Sequence, residues 1–146
     1  VVNVQGDEPL VPPAAIAQVA VELRDSDVAT LATPIKCMRD LNDPNRVKVV
    51  CDLNGNALYF SRSPLPSSEG PWFEHVGLYA FARGTLEALT HVHPTALEKA
   101  ERLEQLRWLE HGWRISVGRT LHATHAIDTP EDLKRIEARI ASGELG

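Results

Sequence analysis

The chain begins Val1-Val2-Asn3-Val4-Gln5-Gly6-Asp7-Glu8-Pro9, and this stretch decides how the rest of the sequence is interpreted. An apolar, β-branched run that stops at a glycine, two carboxylates and a proline is typical of a buried strand ending in a turn. In open α/β sheets, ligands bind in the crevice beyond the carboxyl ends of the strands. We therefore expect Asp7 to offer a carboxylate there, suited to Mg²⁺ shared with substrate phosphates. A turn former or helix cap is the alternative role.

Composition limits the classes of protein to which the chain can belong. It has 146 residues, 43% of them hydrophobic, and a net charge of −5 with acids and bases interspersed. No run approaches the roughly 20 apolar residues of a membrane span, and no basic stripe is present that would neutralise nucleic-acid phosphates. Cys37 and Cys51 fit no metal-ligand spacing and are expected to be two buried thiols in a reducing cytoplasm. We expect one domain over residues 1–146, or part of one, without membrane insertion and without a nucleic-acid partner.

Helical and strand periods alternate along the chain and predict an α/β fold. The expected elements are a helix opening at Pro12-Pro13, a strand over 28–35, a polar turn-rich segment over 38–44, a hairpin of 47–51 with 57–60, a loop over 62–72, a strand over 74–83, one helix over 97–111, a strand over 113–117 and a closing helix after Pro130. Asn54-Gly55 is a strong hairpin signal. The sheet is therefore expected to be mostly parallel, with one antiparallel pair added.

A second informative acid precedes the closing helix. Thr129 is a natural N-cap and Pro130 suits the first helical position, so the helix explains both. It does not explain Asp128, which comes before the cap. If Asp128 lies near Asp7, the two like charges imply a cation between them.

Two further places carry candidate binding residues. In a continuous helix over 97–111, Glu104 would stack between Ala100 and Trp108, with Gln105 beside it. A carboxylate on an apolar side indicates a binding role, whereas a partly exposed Glu whose stem is covered by Trp108 is the alternative.

His75 and Tyr79 are four residues apart in a strand pattern and so project from one face. They either line a pocket or are satisfied within a half-buried sheet. Arg62 follows the hairpin and either anchors an anion or lies on the surface.

Five runs in this order resemble the 3-deoxy-manno-octulosonate (KDO) cytidylyltransferase family. They are Val2-Asn3-Val4-Gln5-Gly6-Asp7-Glu8-Pro9, Tyr59-Phe60-Ser61-Arg62, His75-Val76-Gly77-Leu78-Tyr79, Leu103-Glu104-Gln105-Leu106-Arg107 and Asp128-Thr129-Pro130-Glu131-Asp132-Leu133. The resemblance implies a Rossmann-like nucleotide-diphospho-sugar transferase fold, with a mixed sheet and an antiparallel hairpin element that helps form a homodimer. It implies the reaction of CTP with KDO to give CMP-KDO and pyrophosphate, a step of lipopolysaccharide biosynthesis in the bacterial cytoplasm.

The resemblance also assigns roles to residues. Asp7 and Asp128 match the family's catalytic, Mg²⁺-binding acids. Six residues match the substrate-binding positions of the sugar pocket, namely Gln5, Arg62, His75, Tyr79, Glu104 and Gln105.

Two departures from the family pattern matter. Family members begin with a basic loop of the form Arg-x-x-Ser-x-Arg-Leu-Pro-x-Lys that holds CTP, and no such loop occurs here. We therefore expect the amino-terminal part of the fold to be missing and this polypeptide alone to be inactive. The loop after Arg62 is also short, and Glu74 stands where relatives carry a basic residue. The alternatives are an acylneuraminate or other acidic-sugar cytidylyltransferase, and an inactive truncated fragment that keeps only the fold or the dimer contacts.

Overall fold

A computed structural model describes residues 1–6, 10–24, 26–67, 69–121, 127 and 130–142. Its elements, in chain order, are β1 (Val2–Val4), α1 (Pro13–Glu22), β2 (Val28–Pro34), α2 (Met38–Asn42), β3 (Lys48–Cys51), β4 (Ala57–Ser61), β5 (Phe73–Phe81), α3 (Arg83–Leu89), α4 (Ala96–Glu101), α5 (Gln105–Glu110), β6 (Ile115–Arg119) and α6 (Pro130–Ala141). Within these ranges, no helix combines the length and apolarity that a bilayer span requires.

In the described part of the chain, six strands form one mixed sheet in the order β4-β3-β5-β2-β6, with β1 paired to β5 outside this path. The prediction of a mostly parallel sheet is wrong, because β5 runs antiparallel to β1, β2 and β3, while the parallel pairing in the described residues is β2 with β6. Strand β5 has nine residues, so one edge serves two partners, β3 at Glu74 and β1 near Tyr79. This arrangement brings the start of the chain against the end of β5.

Alternation along β5 builds an apolar layer on each side of the sheet. Val76, Leu78 and Ala80 face helix α1, where they pack near Val19. The intervening side chains face α5 and the hairpin and share a larger cluster that includes Phe60, Tyr79, Phe81, Leu106 and Trp108. Burial of each large apolar side chain contributes about 1.5–3 kcal/mol, so the two layers fix the sheet between the helices.

The hairpin of β3 and β4 is confirmed, and its turn is held by one carboxylate. Asp52 Oδ1 accepts hydrogen bonds from the backbone N–H groups of Asn54 and Asn56, at 2.9 and 2.8 Å. Gly55 has a φ of 86°, which only glycine adopts without strain. The Asn-Gly pair therefore predicted the position of the turn, whereas the hydrogen bonds to Asp52 were not predicted.

Three local predictions are wrong. The segment expected to be a turn-rich loop contains the short helix α2. Strand β1 was expected to be buried, but it pairs with β5 on one edge and Val4 is 42% exposed. Cys37, expected to be a core thiol, is exposed, while Cys51 is partly buried.

The predicted helix over 97–111 is two helices, α4 and α5. Arg102 takes the left-handed conformation with a φ of 57°, which ends α4. Leu103 then turns inward and is buried. Helix α5 is a separate helix with Glu104 at its N-cap. The expected stacking of Glu104 on Ala100 within one continuous helix is therefore wrong. Burial of Leu103 compensates for the backbone strain, and the sequence offers no glycine or proline to signal the break.

Candidate functional site

A cleft of about 510 Å³ opens where β1, the end of β5, α3 and α5 meet. Its lining residues are Val1, Val2, Asn3, Gln5, Tyr79, Phe81, Leu86, Leu89, Thr90, Glu104, Arg107 and Trp108. The apolar side chains of this lining come from all four elements, and most of the polar ones come from the chain start and from the residues around the start of α5. Such a mixture of apolar surface and a few converging polar groups is typical of a small-molecule site.

Three of the six predicted sugar-pocket residues line this cleft together. Gln5 follows β1, Tyr79 lies on β5, and Glu104 begins α5. The strand register pairs Asn3 with Tyr79, which places the start of the chain beside β5. The Glu104 side chain is 64% exposed, whereas Tyr79 is only 3% exposed. Glu104 is thus free to accept hydrogen bonds from a ligand, while Tyr79 shapes the wall.

His75 and Tyr79 project from one face of β5, as predicted, with ring centroids 5.2 Å apart. Trp108 meets the Tyr79 ring edge-on at 5.1 Å, and Phe60 meets the His75 ring edge-on at 5.2 Å. We call Phe60, His75, Tyr79, Phe81 and Trp108 the aromatic wall. His75 extends this wall beyond the residues that line the cleft.

The protonation states of the wall follow from burial. Dense packing around His75 lowers the pKa of its imidazole to about 3, so the ring is neutral at physiological pH. Burial, followed by the charge of Glu104, raises the pKa of the Tyr79 hydroxyl above its ordinary value. Both rings therefore present neutral polar groups, and the charge near the cleft comes from α5.

Arg62 lies apart from the cleft, at the end of β4. Its guanidinium donates to the carbonyl oxygens of Glu101, at 3.2 Å, and Pro44, at 3.0 Å. Its backbone N–H donates to Glu101 Oε2 at 3.0 Å, and its own carbonyl accepts from Lys48 Nζ at 2.6 Å. We call Lys48, Arg62 and Glu101 the Arg62 junction. Among the described residues, the guanidinium's hydrogen-bond partners are carbonyl oxygens, and no carboxylate forms an ion pair with it.

Gln105 is buried, at 6% exposure, and is not among the residues that line the cleft. It follows Glu104 directly, so the start of α5 places an exposed acid beside a buried amide. Burial restricts what Gln105 can contact from the cleft, and its substrate-binding role stays a prediction.

Arg107 and Trp108 line the cleft, and the sequence analysis gave neither a binding role. Arg107 donates two hydrogen bonds to the two oxygens of Glu98, at 2.8 and 2.5 Å, and its Nη2 lies 3.6 Å from Glu104. The hydrogen bonds from Arg107 hold the pKa of Glu98 below its usual value. Arg107 ends the family-like run Leu103-Glu104-Gln105-Leu106-Arg107, which was the available signal for it, whereas Trp108 lies just outside that run.

Asp7 and Asp128, the predicted metal ligands, lie outside the described residues. Within the ranges described, no group of three His, Cys, Asp or Glu residues could hold a metal ion. The metal site therefore stays a prediction from the sequence.

Comparison with known proteins identifies the family. A family model described as Cytidylyltransferase matches residues 1–115. A 3-deoxy-manno-octulosonate cytidylyltransferase of Xylella fastidiosa (strain 9a5c) is 50% identical over 94% of this chain and 59% of its own length. One of the same name from Geobacter sulfurreducens is 45% identical over 93% of this chain and 62% of its own length. The chain thus spans about three fifths of the curated relatives that it matches.

Solved structures similar to this chain support the same family assignment. A CMP:2-keto-3-deoxy-manno-octonic acid synthetase complexed with CTP superimposes with a TM-score of 0.89 at 35% identity, covering 97% of this chain and 61% of that one. An inositol-1-phosphate CTP transferase from T. maritima, 15% identical with a TM-score of 0.56, shares the fold alone. The mixed α/β fold is that of the synthetase, and the chain belongs to the cytidylyltransferase family.

Proposed function

We propose that this chain forms the sugar-binding part of an enzyme that transfers CMP from CTP to the anomeric hydroxyl of KDO, giving CMP-KDO and pyrophosphate. The observation that carries the proposal is the cleft that joins Gln5, Tyr79 and Glu104, which come from three separate family-like runs. The names of the relatives, and the CTP in the similar synthetase, support the same substrates.

The chemistry of KDO fits the polar groups of the site. KDO is an acidic, hydroxyl-rich sugar, and its selection requires several directed donors and acceptors. Glu104 is exposed at the cleft and accepts from sugar hydroxyls, while Gln5 both donates and accepts. His75 and Tyr79 form the neutral wall. We assign Gln105 and Arg62 to substrate binding on the family pattern alone, since Gln105 is buried and Arg62 lies apart from the cleft.

The reaction requires the anomeric hydroxyl to attack the α-phosphorus in line as pyrophosphate leaves. The residues of this chain contribute by holding the sugar in that orientation, which supplies a large part of the rate enhancement in phosphoryl-type transfers. We assign Asp7 and Asp128 as the ligands of a Mg²⁺ ion, on the family pattern alone. When bound, that ion would neutralise charge that develops on the phosphate oxygens.

The remaining assignments rest on the family resemblance. We place the enzyme in the bacterial cytoplasm, in lipopolysaccharide biosynthesis, as a homodimer. Two alternatives stay open, an acylneuraminate or other acidic-sugar cytidylyltransferase, and a fragment that retains only the fold or the dimer contacts.

The test is pyrophosphate release by a chimera in which residues 1–146 follow the amino-terminal segment of the Xylella fastidiosa relative. We expect turnover with CTP, Mg²⁺ and KDO, and turnover at least tenfold lower when N-acetylneuraminate replaces KDO. Preference for neuraminate would support the first alternative. A folded, dimeric chimera without turnover on either sugar would support the second.

A further inference from the structure

Thr30 lies at an irregular point of the sheet and contacts three polar atoms. The residue is fully buried on β2, where the pairing with β5 shifts register between Thr30 and Leu31. Its Oγ1 lies 2.8 Å from the carbonyl oxygen of Leu78, 3.2 Å from that of Val76 and 2.9 Å from His75 Nε2. A single hydroxyl therefore joins the irregular backbone of β5 to the imidazole of the aromatic wall.

The hydrogens in this group can be counted. A hydroxyl has one proton to donate, and carbonyl oxygens can only accept. If Thr30 donated to His75, its own lone pairs would face two carbonyl oxygens without a hydrogen between them, which is costly for a buried group. The Thr30 hydroxyl and His75 Nε2 are both satisfied when Thr30 donates to one of the carbonyls and His75 Nε2–H donates to Thr30.

This arrangement fixes the protonation state of the other ring nitrogen, Nδ1. A neutral imidazole carries one N–H, so protonation of Nε2 leaves Nδ1 with a lone pair. The packing that lowers the pKa of His75 to about 3 keeps the ring in this neutral form. In the described part of the chain, the His75 ring makes its hydrogen bond with Thr30. Its other ring contacts are an edge-to-face contact with Phe60 and a tilted contact with Tyr79.

We propose that Thr30 is a positioning residue that fixes His75 as the Nε2–H tautomer, so that Nδ1 accepts a hydrogen bond from a hydroxyl group of the sugar. The identity of that sugar rests on the proposed function. His75 then selects for a donor and disfavours a carboxylate or keto oxygen at its position, because two acceptors would meet there.

The tautomer can be measured directly in the 146-residue chain. Long-range ¹H–¹⁵N correlation spectra of ¹⁵N-histidine-labelled protein distinguish protonated from unprotonated ring nitrogens, and a His75→Gln variant identifies the His75 signals among the six histidines. At pH 7 we expect Nε2 protonated and Nδ1 unprotonated in the wild type and in Thr30→Ser, which keeps the hydroxyl. A protonated Nδ1 in the wild type would overturn the proposal whatever the variants do.

Thr30→Val removes the hydroxyl at nearly the same volume, and Thr33→Val on the same strand is the control. We expect a mixture of tautomers in Thr30→Val alone, together with a two- to tenfold weaker affinity for KDO, the range for one hydrogen bond. An unchanged tautomer in a folded Thr30→Val variant would refute the positioning role. If Thr30→Val does not fold, the tautomer in the wild type and its retention in Thr30→Ser decide the question.

Addition of KDO separates this proposal from the proposed function. We expect KDO to shift the His75 Nδ1 resonance. If KDO perturbs the backbone amide resonances of Tyr79 and Glu104 in uniformly ¹⁵N-labelled protein but leaves His75 Nδ1 unchanged, the acceptor role is wrong while the cleft assignment holds. If KDO perturbs none of these residues although the tautomer is as expected, the proposed function is what fails.

Discussion

The aromatic wall and the Arg62 junction are held by different forces. The wall consists of rings from β4, β5 and α5 with centroid separations of 5.1–5.9 Å, of which three pairs meet edge to face, one pair is tilted and one is stacked. The junction consists of two cations and a carboxylate that bind mostly backbone groups. Non-directional packing tolerates small shifts, whereas a junction built from charged hydrogen bonds fails when one partner is removed. The wall should therefore determine the shape of the site, and the junction should determine where Arg62 stands.

Removal of the charge at Lys48 should give the largest effect. Lys48 is fully buried, and its Nζ donates to the carbonyl oxygens of Asp43, Arg46 and Arg62, at 2.9, 2.5 and 2.6 Å. Lys48→Met leaves three partly buried carbonyls without their charged donor. We expect the free energy of unfolding to fall by about 3 kcal/mol, measured by urea denaturation.

The matched control is Lys36→Met, since Lys36 is exposed on the loop after β2. It should change stability by no more than about 0.5 kcal/mol. Equal effects of the two substitutions would contradict the view that carbonyl binding by Lys48 holds the junction.

The pH dependence of stability should report on the aromatic wall. The pKa of His75 is about 3 in the folded state and about 6.5 when unfolded. Between these values the unfolded chain binds a proton that the folded chain does not, so stability falls as the pH falls from about 6.5 toward 3. Each unit of lowered pKa corresponds to about 1.4 kcal/mol. His75→Gln should flatten this part of the stability curve.

His93→Gln serves as the comparison variant, because His93 is exposed in the segment between α3 and α4. Its curve should match the wild type. If His75→Gln shows the same slope as His93→Gln, the imidazole of His75 is not buried in a neutral state.

The smallest effect should come from Arg102, the left-handed residue that follows Glu101 of the junction. A non-glycine residue in this conformation costs about 1–2 kcal/mol, and the flexibility of glycine in the unfolded chain offsets part of the gain. Arg102→Gly should therefore stabilise the protein by about 0.5 kcal/mol. Arg102→Ala should give no such gain, and a lower denaturation midpoint for the glycine variant than for the alanine variant would contradict the helix break.

The sequence could predict features that rest on period and turn chemistry. Alternation placed His75 and Tyr79 on one face, and Asn54-Gly55 located the hairpin. The sequence could not predict the helix break at Arg102, because arginine has no helix-breaking signature. The backbone strain at Arg102 is compensated by the burial of Leu103, which is a tertiary contact. Nor does a lysine in an apolar strand reveal that its ammonium group binds three carbonyls.

Only part of the candidate site could be predicted from the sequence. Gln5, Tyr79 and Glu104 were named from the sequence, and the pairing of β1 with β5 brings them to one cleft. The contacts of Arg62 depend on loops whose geometry has no periodic signal, so its distance from the cleft could not be foreseen. The meeting of Asp7 with Asp128 remains a prediction, because both lie outside the described residues.

The most direct test of the account is the kcat/KM for KDO of the chimera carrying Glu104→Ala, compared with Glu87→Ala. The two glutamates have similar side-chain exposure, 64% and 68%, but Glu87 lies on α3 and pairs with Arg83. Hydrogen bonds to a charged group contribute about 1.5–3 kcal/mol, so kcat/KM should fall about 10- to 100-fold for Glu104→Ala. It should be unchanged for Glu87→Ala. Equal kcat/KM values for the two variants would contradict the assignment of this cleft as the sugar site.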